Sequence, residues 1–296
     1  MTAGERALVL GGGGSTGNAW LIGVLAGLLD AGLDVTTADL TIGTSAGATT
    51  AAQIAGASPT DLLAATLGAG PPRRTGPIGS DRGRAPRGPV ADHIERRRRI
   101  IASSADMADM RRRMGAAALE MDATSDASWQ TRWRATVAAR LPSQRWPERR
   151  VLITAVDAET GEPVLFDRDS GVDLADAVAA SCSSGRPYRI GDRRYIDGGY
   201  RSNADNADLA SGSGRVLVLS PFSGRTLTPP DWGMHLATQV EQLRADGSRV
   251  ETIFPNPDAE PLFGANAMDP SLRPPAARAG NAQGRALAQH LNEFWR

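Results

Sequence analysis

The chain has no lysine, a single cysteine and three histidines, and each shortage removes a class of chemistry. Without lysine there is no Schiff-base enzyme and no ATPase P-loop, whose lysine reaches the phosphates. Every basic side chain is arginine, and the 33 basic residues are matched by 33 acidic ones. With a formal net charge of zero, the molecule as a whole has no electrostatic reason to seek nucleic acid. Cys182 alone forms no intrachain disulfide, and His93, His235 and His290 have no metal-ligand spacing, so no metal or other cofactor is expected. Long apolar runs are missing too: none approaches the roughly 18 residues that suggest a membrane span. Residues Met1 to Arg6 are short and polar, without a signal pattern. The expectation is a cytoplasmic protein, with any membrane association peripheral.

Glycine, by contrast, is concentrated near the start. The apolar run Ala7-Leu8-Val9-Leu10 leads straight into Gly11-Gly12-Gly13-Gly14-Ser15-Thr16-Gly17. From Trp20 the apolar residues Leu21, Val24, Leu25 and Leu28 recur at helical spacing until Gly32. The stretch reads as strand, tight turn and helix. Glycines leave the turn without Cβ atoms, so main-chain N–H groups converge where a helix N-terminus adds partial positive charge. Such an anion site serves either a dinucleotide pyrophosphate or the oxyanion of an acyl transfer.

The second strand separates the two uses. A dinucleotide fold places an acidic residue at the end of that strand to hold the ribose, roughly 20 residues on. Here Asp39-Leu40-Thr41-Ile42 ends in Gly43-Thr44-Ser45-Ala46-Gly47, a G-x-S-x-G elbow entering a helix from Ala48 to Ala57. A lone G-x-S-x-G is also how a serine caps a helix. One strand from a glycine turn, however, it predicts an exposed nucleophile, Ser45, beside an oxyanion hole. Ser45 then needs a base. Asp197 follows an apolar strand end and precedes Gly198-Gly199, which leave room for close approach; the same dipeptide also suits a simple turn.

Taken in order, Gly11 to Gly17, Gly43-Thr44-Ser45-Ala46-Gly47 and Asp197-Gly198-Gly199 resemble the three motifs of the patatin-like phospholipase family, over roughly Ala7 to Leu219. The resemblance implies an α/β sheet carrying a serine-aspartate dyad without histidine, which hydrolyses acyl esters of lipids. Ser45 would be the nucleophile, Asp197 the base, and the main chain of Gly12, Gly13 and Gly14 the oxyanion hole. Two positions depart from the family pattern. Thr16 stands where Arg or Lys is frequent, and the stretch between Ser181 and Ile190 is shorter than the Pro-rich and aromatic segment usual there. The alternatives are a Ser45-Asp197-histidine triad using His235 or His290, and a lipid- or nucleotide-binding protein without catalysis on the same scaffold.

The remaining chain alternates strands and helices, which predicts a mostly parallel sheet with helices on both faces in one domain spanning 1–296. Residues 68–141 read as a cap insertion: a Gly-, Pro- and Arg-rich loop from Gly68 to Pro89, a candidate lid, then helical composition to Leu141. Between Arg73 and Arg113 twelve arginines stand against five acidic residues, with Met107, Met110 and Met114 at the end of that stretch or just after it. One reading is a basic, Met-lined cap touching an anionic lipid surface; the other is a solvated helix face over a core stripe. Further expectations are Ser58 and Asp173 as helix N-caps, a hairpin at Gly191-Asp192, a helix from Trp232 to Ala245, a last strand from Val250 to Phe254 and a closing helix from Ala276 to Trp295.

Overall fold

The computed structural model describes residues 5–68, 89–123 and 128–296. Strand β1 (Arg6–Leu10) feeds helix α1 (Gly14–Asp30), and β2 (Leu40–Gly43) feeds α2 (Ala46–Gly56) and α3 (Pro59–Gly68). Helices α4 (Pro89–Ser103), α5 (Met107–Ala123) and α6 (Ser128–Ala138) precede β3 (Arg150–Asp157) and β4 (Pro163–Phe166). Then come α7 (Leu174–Ser181), β5 (Tyr188–Ile190), β6 (Arg193–Asp197), β7 (Arg215–Leu219), α8 (Leu236–Ala245), β8 (Arg249–Ile253) and α9 (Arg273–Trp295). The candidate lid, Gly68 to Pro89, lies almost wholly outside the described residues.

Among the described residues all eight strands join one sheet in the order β5-β6-β3-β2-β1-β7-β8, with β4 added on β3. The central pairings β3-β2-β1-β7-β8 are parallel, as predicted, because helices or long connections return the chain between them. The pairings of β3 with β4 and of β5 with β6 are antiparallel because short turns join them, and β6 also runs antiparallel to β3.

Alternation along β1 divides the core. Leu8 and Leu10 face a large apolar layer with α1, α2, α7 and α9, whereas Ala7 and Val9 face Leu236, Val240 and Leu243 of α8. Helix α1 is buried nearly all round, and α9 lies against it at unusually close range. A Cβ on Gly23 or Gly27 would stand 2.2 Å from the carbonyl oxygen of Ala277 or Asn281. Reciprocally, one on Gly280 or Gly284 would stand 2.4 or 2.3 Å from that of Trp20 or Val24. Glycines four apart on both helices let the two backbones interlock.

Several local expectations are refined. Helix α1 starts at Gly14, directly on the glycine turn, well before the apolar periodicity at Trp20. Ser58 caps α3 as predicted, its Oγ accepting from the Asp61 N–H at 3.1 Å. Asp173 occupies the N-cap of α7, but its carboxylate turns to Arg134 instead of capping. The helix expected from Trp232 starts at Leu236, because Gly233 adopts a left-handed φ of 69° and ends a separate 3-10 turn at Pro230–Trp232. The methionine stripe is core: Met107, Met110 and Met114 pack with Val156, Ile196 and Tyr200 under α4 and α5.

Candidate active site

Strand register brings the second and third motifs together. Strand β3 pairs with β2 along its first half, Gly43 opposite Ile153, and with β6 along its second half, Asp197 opposite Ala155. The ends of β2 and β6 therefore meet two residues apart on one template strand. Two residues beyond Gly43 stands Ser45, with φ 52° and ψ −110°, a left-handed conformation costly for a residue with a Cβ. The turn is enforced by the tight seat of α2: a Cβ on Gly47 would lie 1.8 Å from the carbonyl oxygen of Leu10.

On this elbow Ser45 is partly exposed, and its Oγ donates to Oδ2 of Asp197 at 2.9 Å. The other carboxylate oxygen, Oδ1, accepts from the Gly199 N–H at 2.8 Å, which fixes the rotamer. Asp197 is buried, and burial pushes its carboxyl up to about 6, against the pull of the Gly199 N–H, the Ser45 hydroxyl and the Arg97 charge. At neutral pH it is ionised yet closer to neutrality than an ordinary carboxylate, which suits a general base.

The pair sits on a hydrogen-bonded frame that sequence reading did not single out. Ser181 Oγ accepts from the Ser45 N–H at 2.9 Å, and the Ser183 carbonyl accepts from the Asp197 N–H at 2.9 Å. Asn206 Nδ2 donates to Thr44 Oγ1 at 2.9 Å and to the Gly198 carbonyl at 3.0 Å, joining the residues next to both catalytic candidates. Thr154 Oγ1 donates to Thr44 Oγ1 at 3.0 Å. One signal for Asn206 was available: asparagine in the Asn203-Ala204-Asp205-Asn206 stretch tolerates a left-handed φ, here 55°. The stretch after Ser181 closes around this frame. Cys182 Sγ donates to the Ser45 carbonyl at 3.1 Å, and burial pushes that thiol up to about 12.

The glycine turn stands beside the serine. A Cβ on Gly12 would lie 3.6 Å from that of Ser45. The Gly12 N–H, however, donates to the Ala204 carbonyl at 2.7 Å, so it is committed elsewhere. Gly12 pairs like an extended strand, while Gly13 is the N-cap residue of α1. The N–H groups of Gly13 and Gly14 belong to the first-turn donors that a helix leaves unpaired. Thr16 is buried, its N–H on the Ala267 carbonyl at 3.0 Å. The cation at this turn comes from α9: Arg273 Nη1 donates to the Ser15 carbonyl at 2.8 Å and Nη2 to Asn18 Oδ1 at 3.0 Å. Burial, then the Arg140 charge, lowers the Arg273 pKa.

Neither histidine of the triad alternative reaches the pair. His235 is the N-cap residue of α8, its Nε2 2.9 Å from the Thr228 carbonyl oxygen, and His290 is exposed with Nε2 3.5 Å from Glu251. Among the described residues, no group of three His, Cys, Asp or Glu side chains stands together as a metal site.

A parallel-centred α/β sheet with a serine elbow at a strand end, facing a glycine turn and a buried aspartate, defines the class of serine-elbow α/β proteins. The sequence pattern of patatin-like phospholipases matches residues 8–209. The chain belongs to the patatin-like phospholipase family. No curated protein matches. Among solved structures, type III effector protein ExoU aligns at 15% identity and a TM-score of 0.41, over 97% of this chain and 53% of that one. VipD from Legionella pneumophila aligns at 12% identity and a TM-score of 0.43, over 97% of this chain and 67% of that one. The chain thus spans about half the length of the first of these. Among the described residues, no helix is long and apolar enough to cross a membrane.

Proposed function

We propose that the chain is a lipid acyl hydrolase in which Ser45 attacks the ester carbonyl and Asp197 is the general base. The observation that carries this reading is the 2.9 Å hydrogen bond from Ser45 Oγ to Asp197 Oδ2 on a strained elbow. Asp197 takes the Ser45 proton as Oγ bonds to the carbonyl carbon. The N–H groups of Gly13 and Gly14 receive the oxyanion; one such donor is worth about 2.7–4 kcal/mol. As the tetrahedral intermediate collapses, the ester C–O bond breaks and Asp197 returns the proton to the leaving alcohol. Asp197 then deprotonates a water that cleaves the acyl-serine ester, which regenerates Ser45.

The substrate in this reading is a phospholipid, lysophospholipid or neutral acyl ester. A transient contact with an anionic membrane surface through the Arg-rich 73–113 stretch belongs to it. Of that stretch, Arg98 and Arg99 of α4 are exposed, whereas the exposed Arg112 and Arg113 already share Asp109. Cosedimentation with anionic and zwitterionic vesicles at low salt checks the contact.

The deciding experiment is hydrolysis of p-nitrophenyl esters of short and long acyl chains by the native chain, Ser45→Ala and Asp197→Asn. The expected result is turnover by the native chain and a loss of roughly a thousandfold or more in kcat in each variant. Equal rates in all three would overturn the dyad.

A further inference from the structure

A segment outside the residues matched by the family pattern reaches the glycine turn. Between β8 and α9 the chain runs through 3-10 turns at Pro257–Leu262, Gly264–Asn266 and Pro270–Leu272. The Ala267 carbonyl accepts from the Thr16 N–H at 3.0 Å and so caps α1, whose N-cap residue supplies no side-chain bond. A Cβ on Gly14 would stand 2.8 Å from that carbonyl oxygen and 3.0 Å from Met268 Sδ. Met268 therefore lies directly beside a residue whose N–H receives the oxyanion in the proposed mechanism.

The backbone that carries Met268 is anchored on both sides. Ala267 is buried, Phe263 packs edge-on against Trp20, and Glu260 pairs with Arg225 of the loop after β7. On the other side the Asp269 carboxylate accepts from the Ser271 N–H at 2.9 Å, and Arg273 holds the Ser15 carbonyl. The Met268 side chain is nonetheless 58% exposed, more than the exposed Leu165, Leu227 and Phe254. An apolar side chain presented to solvent from an anchored backbone offers an apolar ligand a contact at little ordering cost. The unbranched thioether also moulds to flexible partners.

Strand order decides which part of an ester meets it. The sheet runs β6-β3-β2-β1-β7-β8, so Asp197 at the end of β6 lies to one side of Ser45, while the glycine turn after β1 and the segment after β8 lie to the other. As general base, Asp197 returns its proton to the leaving alcohol, which then departs on the β6 side. The oxyanion sits within about 3 Å of its N–H donors. The acyl carbons on the same carbonyl are left to extend over the β1 side, where Met268 stands. An acetyl group brings only a methyl there, whereas each further methylene laid on the thioether adds buried apolar area. We propose that Met268 is a specificity-determining residue that packs against the acyl chain of the substrate, so that the protein favours medium-length, unbranched acyl groups over acetyl. The inference rests on the Ser45-Asp197 reading and narrows its substrate class.

The test measures kcat/KM for p-nitrophenyl acetate and p-nitrophenyl octanoate, both kept monomeric so that no lipid surface contributes. The assay uses the native chain and the Met268→Leu, Met268→Gln and Met268→Ala variants. The native chain should favour the octanoate by at least about tenfold. Met268→Leu should keep that ratio, whereas Met268→Gln, which retains the length but not the apolar character, and Met268→Ala should each reduce it at least about fivefold. A native ratio near one, a ratio unmoved by Met268→Gln, or an equal loss on both esters overturns the proposal. Methionine-methyl NMR of the native chain with sodium octanoate and with sodium acetate completes it, the Met268 signal being assigned by its absence in Met268→Leu. A Met268 signal that shifts with octanoate and not with acetate supports the contact even if no ester is turned over, an outcome that would sink only the dyad reading. An unmoved signal, or equal shifts with both salts, overturns the proposal.

Discussion

The N–H of Gly12 donates to the carbonyl of Ala204 over 2.7 Å, which ties the glycine turn to the loop that follows Asp197. In the proposed mechanism this link joins the oxyanion donors to the general base. Two buried carboxyls stand near this link, Asp197 before the loop and Asp205 beside Gly11.

Activity should follow the ionisation of Asp197. As the proposed base Asp197 works only when deprotonated, and burial pushes its carboxyl up to about 6. Below that value kcat/KM for a p-nitrophenyl ester is expected to fall about tenfold per pH unit, and above it to level off. A profile flat down to pH 4 in a chain that remains folded would exclude Asp197 as the base.

Asp205 is fully buried beside Gly11, its Oδ1 without a hydrogen-bond partner, and burial pushes its carboxyl up from 3.8 to about 7. The folded chain then retains a proton that the unfolded chain releases, so stability is fully present below 3.8 and is lost as pH rises to about 7. Asp205→Asn removes that loss. Urea denaturation at pH 8 should show a gain of roughly 2–4 kcal/mol over the native chain, shrinking toward zero near pH 4. An equal difference at both pH values would contradict the assignment.

The interlocked helices α1 and α9 make Gly27→Ala a severe substitution, because its methyl would stand 2.2 Å from the Asn281 carbonyl oxygen. Separating the backbones should cost about 2–3 kcal/mol, read as a lowered urea midpoint. An unchanged midpoint would mean that the helices part at little cost.

Cys182 touches the Ser45 backbone but should be chemically quiet. With its thiol pushed up to about 12, almost no thiolate exists at pH 8, and Ellman's reagent should label the native chain far more slowly than the urea-unfolded one. Stoichiometric labelling of the native chain within seconds would count against this.

His235 and His290 serve as a control on the dyad. His235 pairs with the Thr228 carbonyl and His290 with Glu251, so His235→Ala combined with His290→Ala should retain esterase activity within about twofold. Loss of activity in folded double variant would revive the triad.

The sequence by itself determined the local units of this protein. A strand-glycine-helix transition, a G-x-S-x-G elbow and the hairpin delivering Asp197 each depend on short-range chemistry: missing Cβ atoms, turn residues and apolar periodicity. Strand and helix order was legible for the same reason, with ends displaced where a 3-10 turn or a left-handed glycine intervened, as at Gly233. Only the tertiary structure decided how these units meet. That β2 and β6 end side by side on β3 follows from long-range register, which no local pattern encodes. It also decided that Gly12 spends its N–H on Ala204, that Arg273 brings charge from the far end of the chain, and that the methionine stripe is core. A hydrogen-bond partner is fixed by whichever group the fold brings within about 3 Å, and sequence spacing carries no information about that distance.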